Sequence, residues 1–144
     1  REVGVWVMRR HMNAVRDYLA AKGWRAYVVT VPSDAVVPYL LISPEWTGDY
    51  DPDVSGLSDD FTGRFQVTAV AGSVDAALAF GGTVRAYLSP RNGWSRVPVE
   101  GFAADICWAG FDIADVDRDI TGTALNNHRA FAKHTFHLNS RSLT

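Results

Sequence analysis

The stretch DDFTGRFQVTAVAGSVDAALAFGGTVRAYL, Asp59–Leu88, changes its hydrophobic period within a few residues. Phe65, Val67 and Ala69 alternate with Arg64, Gln66 and Thr68, the pattern of a strand with one face in a core and the other wetter. Gly72 breaks that pattern and Ser73 can cap a helix. Asp75 falls in the first turn, where the helix dipole favours negative charge. From there Ala77, Phe80, Val84 and Leu88 keep one apolar face. Gly81 and Gly82 oppose a helix by about 1 kcal/mol each relative to alanine. They signal either a break or a place where another backbone comes close, that of a neighbouring element of the same domain first and of a neighbouring subunit second.

Working outward, Met8, Met12, Val15 and Leu19 recur at helical spacing, while Arg9, Arg10, Asn13, Arg16 and Asp17 take the other side. Lys22 suits the negative end of that helix and Gly23 can close it in the left-handed conformation. WRAYVVTVP and VPYLLISP read as strands, with Pro38 at a strand start or edge and Pro44 where pairing stops. EWTGDYDPDVSGLSDD is too long and polar for a tight hairpin. After Pro90 and an Asn92-Gly93 turn, SRVPVEGFAADICWAGF reads as a hairpin turning at Glu100-Gly101. Phe102, Ala104, Ile106 and Trp108 share one face of its second strand. HRAFAKHTFHL alternates as a closing strand, and NSRSLT reads as a polar tail. The order is helix, two strands, long loop, strand, helix, hairpin and final strand. It predicts one α+β domain over residues 1–144, a mostly antiparallel sheet packed with two main helices.

At 144 residues, such a domain buries roughly 68–70% of the surface of its unfolded chain. The single Cys107 excludes an internal disulfide framework and is expected to be a small buried hydrophobe. A net charge of −2 argues against electrostatic capture of nucleic acid. No stretch reaches the roughly 20 apolar residues of a membrane span. The opening REVGVWVMRRHM has the charge order of neither a signal peptide nor a lipidation site, so a soluble, unexported protein is expected.

Asp49, Asp51, Asp53, Ser55 and Asp60 occupy ligand positions of a calcium-loop pattern. The glycine position is Val54, however, and the glutamate position is the shorter Asp60. A solvated acidic loop is therefore expected, with a calcium-dependent binding module as the rival reading. Asp115, Asp117 and Asp119 repeat the pattern more weakly. Among His11, His128, His134 and His137, the last two are three apart, which on a strand points them to opposite faces and argues against shared ligation. No nucleophile elbow surrounds Cys107, and FGGT lies within a helix pattern rather than at a helix start. Neither an enzyme nor a cofactor is expected.

The helix ending in VRDYLAA, then VPYLLIS, the acidic loop leading into FQVTAVAGSVDAALAFGGTVRAYL, a later hairpin and the last strand KHTFHL together resemble the tail terminator proteins of long-tailed bacteriophages. These are relatives of the minor tail protein at the top of the tail tube. The Gly81-Gly82 pair and DICWAGF depart from the family's pattern. The resemblance implies a virion protein, assembled in the host cytoplasm, that forms a homo-oligomeric and commonly hexameric ring. Such a ring ends tube polymerisation, contacts the tail-tube protein below and the head-completion or neck protein above, and passes DNA through its bore without reading sequence. A neck ring protein and a tail-tube subunit are the neighbouring expectations. A tube subunit is set apart by a more complete barrel and a long stacking hairpin. Candidate contacts between subunits or partners are Trp46, Tyr50, Asp49, Asp51 and Asp53 in the polar loop, and Gly81 and Gly82 on the second helix.

Overall fold

A computed structural model describes residues 2–45, 61–116 and 129–143. Helix α1 spans Glu2–Ala20, followed by β1 (Ala26–Val28), β2 (Tyr39–Glu45), β3 (Phe61–Ala71), α2 (Val74–Leu88), β4 (Ser95–Val99), β5 (Phe102–Val116) and β6 (Ala130–Ser142). The six strands form one sheet in the order β1-β2-β3-β6-β5-β4, antiparallel throughout except for the β1–β2 pair. The α+β architecture expected from the hydrophobic periods is the one observed.

The sheet curls. Helix α1 packs against β1 and β2 at one edge and against β4 at the other, whereas α2 covers the centre formed by β3, β6 and β5. The core fills the space between. Met8, Met12, Val15 and Leu19 of α1 and Val84 and Leu88 of α2 meet Leu40, Ile42, Phe65, Val67, Ile106, Phe136 and Leu138 of the sheet. Phe65 and Phe136 stack at the middle, with ring centroids 5.4 Å apart. Tyr18 of α1 stacks on Tyr87 of α2 at 4.9 Å, and Trp24 stands edge-on to Tyr87, tying the two helices together.

Local chemistry explains the joints. The Ala76 amide donates to Ser73 Oγ at 3.1 Å, capping α2 two residues after β3 ends. Gly23 has φ +90° beyond α1, and Gly101 has φ +82° in the two-residue turn that sets Val99 opposite Phe102.

Several expectations are corrected. The strand in WRAYVVTVP is only three residues long, because Val29 turns to φ 68° and ends it. Pro44 does not stop pairing, since β2 runs to Glu45 opposite Arg64. β1 pairs only with Leu40, Leu41 and Ile42, so Pro44 lies where β2 is itself an edge and a missing N–H is tolerated. The turn after Pro90 places Arg91 and Asn92 at positive φ, while Gly93 is extended. The hairpin's second strand continues through the acidic DIADV to Val116. Asn139–Ser142 is not a tail: these residues belong to β6, where Ser140 pairs with both Phe61 and Ala104. Cys107 is half-buried rather than buried, because alternation places it on the opposite face from Ala104 and Ile106. Finally, α2 runs unbroken through Gly81-Gly82.

Candidate assembly surfaces

Strand pairing leaves the sheet with two unlike open edges. β4 reaches only from Phe102 to Ile106 of β5. From Cys107 to Val116, β5 has β6 on one side and, among the described residues, no strand on the other. That ledge carries three large exposed apolar side chains, Phe111 (46% exposed), Ile113 (48%) and Val116 (42%). At the far edge, among the described residues, the short β1 leaves residues 43–45 of β2 without a partner strand on the outer side, and Val29 and Val36, in the segment between β1 and β2, are each 60% exposed.

The ledge is not a flat edge. Its register to β6 shifts between Trp108 and Gly110 and again between Phe111 and Ile113. Each bulge inserts a residue and re-aims the side chains that follow. Phe111 thereby lies opposite His134 and meets its ring edge-on at 5.2 Å. Asp112 goes to the other face, where its Oδ2 accepts from Thr135 Oγ1 at 2.6 Å and from Gln66 Nε2 at 3.1 Å. Two consecutive side chains thus fasten the ledge to both faces of the sheet.

His134 is the centre of the inner fastening. It is 7% exposed, and its Nδ1 accepts from the Trp108 indole N–H at 3.0 Å. An indole nitrogen can only donate, so Nδ1 is bare and the neutral ring carries its hydrogen on Nε2. Arg85 of α2 lies over the Trp108 ring at 5.3 Å and donates to Asn92 Oδ1. Burial holds the His134 pKa below the ordinary 6.5; the Arg85 charge lowers it further, and Asp112 opposes.

A second buried histidine joins α1 to the same strand. His11, fully buried, places Nδ1 2.6 Å from the Val7 carbonyl and Nε2 2.7 Å from Ser140 Oγ. The carbonyl only accepts, so Nδ1 carries the hydrogen and the Ser140 hydroxyl donates to Nε2 in the neutral ring. Its pKa is also lowered, first by burial, against the raising effect of the Val7 carbonyl and with a small lowering from Arg10.

Two grooves flank α1. One of about 850 Å³ runs toward β4, with Arg9, Arg10, Asp17, Tyr18, Pro98 and Glu100 among its lining residues. The other, of about 630 Å³, runs toward β1 past Arg9, Met12, Arg16, Tyr27 and Pro44. Among the described residues no group of three metal-ligating side chains gathers, and no helix is long and apolar enough to cross a membrane.

Of the candidate contact residues, Trp46, Tyr50, Asp49, Asp51 and Asp53 lie outside the described residues. So do His128, Asp117 and Asp119. Gly81 is buried, and an added Cβ would meet His134 Nε2 at 3.1 Å and the Ala132 Cβ at 3.5 Å. The element that approaches Gly81 is therefore β6 of the same domain, through a side chain rather than a backbone. Gly82 faces open space. His134 and His137 lie on opposite faces of β6, as their spacing requires. The pattern missed the Arg85–Trp108–His134–Phe111 grouping. Its one legible trace was that Trp108 shared a strand face with Phe102, Ala104 and Ile106.

The sequence matches no protein-family model, and no curated protein matches it.

Proposed function

We propose that this chain is the ring subunit that closes the head-proximal end of a phage tail tube, joining the tube to the neck. A closed ring of identical subunits needs a heterologous interface, in which each copy offers two different, complementary patches. The observation that supports this reading is the pair of unlike open edges on opposite sides of one curled sheet. One is the long bulged ledge of β5 with Phe111, Ile113 and Val116, and the other is the short β1–β2 edge with Val29 and Val36. Phe111 and Ile113 lie on opposite faces of the ledge, so the contact it offers is the strand edge itself, flanked by an apolar side chain on each face. Partners are further copies of the chain, the tube protein below and a neck protein above, with DNA passing through the bore.

A tail-tube subunit is the second reading. The long β5–β6 pair and the curl of the six-stranded sheet favour it, because a long hairpin and a fuller barrel are what set a tube subunit apart. Deleting the gene from the phage separates the two. Loss of a terminator leaves tubes of unregulated length, whereas loss of the tube subunit leaves no tube. Deletion particles with tails of normal length would refute both.

A further inference from the structure

The hydrogen-bond roles around His134 allow only one protonation state. With the ring neutral, the bare Nδ1 accepts from Trp108, Phe111 packs on the ring edge, and Nε2 lies beneath Gly81 of α2. A proton on Nδ1 would set two donors face to face at 3.0 Å, and the indole must then leave. Turning the ring over does not relieve this, because both nitrogens of the charged imidazole are donors. We propose that His134 is a proton-operated latch on the outer half of β5: neutral, it holds the Trp108 indole beneath Arg85 of α2, and protonated, it releases that indole.

The surroundings decide which way the latch is set. From α2, the Arg85 guanidinium over the Trp108 ring opposes a second positive charge. From β5, Asp112 is the one carboxylate that favours the proton. It is engaged by Thr135 and Gln66 on the other face of the sheet, so it offers His134 no direct hydrogen bond. From β3, the residue opposite His134 is Val67, and its neighbours Gln66 and Thr68 carry no charge. On β6 itself Lys133 and Thr135 point to the far face.

What the latch controls follows from the strand order. Beyond Ile106, among the described residues, β5 has no β4 beside it; its outer half is held by β6, by the Trp108 amide donating to Ser89 Oγ and the Cys107 thiol to the Asn92 carbonyl, and by the side chains of Trp108, Phe111 and Asp112. Releasing the indole leaves Asp112 tying the ledge to Thr135 and Gln66. The ledge therefore loosens while the core around Phe65 and Phe136 stays packed. This holds whether or not the chain caps a tube.

Nitrogen NMR of the His134 ring, read together with amide exchange of residues 107–116, tests the latch on the full chain. At about pH 8, a neutral ring should show a bare Nδ1 and an Nε2–H, with the Trp108 indole proton protected. At about pH 5.5, after correction for intrinsic exchange, protection of 107–116 should fall at least about tenfold while that of Phe65 and Phe136 holds. In His134→Asn, whose Oδ1 can accept from Trp108 without titrating, protection should not change with pH. In Trp108→Phe it should already be at the acid level at pH 8. A His134 ring that stays neutral at about pH 5, or a His134→Asn chain that loosens in acid as the parent does, overturns the proposal. If His134→Asn does not fold, an acid loss of protection that persists in Trp108→Phe does the same.

Discussion

Replacing Gly81 and, separately, Gly82 by alanine sets the helix's intrinsic preference against the packing beneath it. In a helix interior either change gains about 0.8–1.0 kcal/mol, because alanine loses less backbone entropy on folding. At Gly82 the new methyl meets nothing within 4 Å, so the gain should appear nearly whole. At Gly81 the methyl would stand 3.1 Å from His134 Nε2 and 3.3 Å from its Cδ2. That ring must give by a few tenths of an ångström, yet it is pinned by Trp108 on Nδ1 and by Phe111 at its edge. Overpacking of this kind costs roughly 1–3 kcal/mol, so Gly81→Ala should be neutral to about 2 kcal/mol destabilising. The two variants should therefore differ by roughly 1–3 kcal/mol in urea unfolding, or on the order of 4 °C in Tm per kcal/mol for a chain of this length. In a His134→Ala background the Gly81→Ala penalty should vanish, a coupling that a double-mutant cycle reads directly. Equal stabilisation by both alanines in the parent chain would refute the argument that His134 is held fast beneath α2.

Three further outcomes follow from the same contacts. Ser140→Ala leaves the buried Nε2 of His11 without its donor and should cost about 1–3 kcal/mol, read by denaturation. Both buried histidines have folded pKa values below 6.5, so the unfolded chain takes up protons first as pH falls. Stability should be full above about pH 6.5 and decline below it, by at most about 1.4 kcal/mol per pH unit for each ring, until the lowered pKa is passed. Thermal unfolding across that range checks the sign, and a chain more stable at pH 5 than at pH 7 would contradict it. Ser73→Ala removes the cap of α2 and should cost about 0.5–2 kcal/mol.

The fold was legible wherever a period ran long enough. The strand period before Gly72, the one after Glu100-Gly101, and the helical faces of residues 8–19 and 77–88 all fell where the hydrophobic spacing put them. What local pattern could not carry was context. Pro44 stays paired because β1 is too short to cover it, and Ser140 is buried because His11 reaches it from a helix at the other end of the chain. The bulges of β5 hid His134's partners in the same way: only after two register shifts do Phe111 and Asp112 reach opposite faces. Gly81 stood out as a place for a close backbone, but what approaches is a side chain, and nothing in its neighbourhood of sequence pointed to a histidine more than fifty residues on.

The proposed ring rests on two edges that would meet in different copies of the chain. Three-dimensional reconstruction of phage particles assembled with this chain tests that most directly. The account predicts one closed ring of this chain at the junction of tail tube and neck, with the β5 ledge of each copy against the β1–β2 edge of the next. Copies stacked along the length of the tube, or a junction built without the chain, would contradict it.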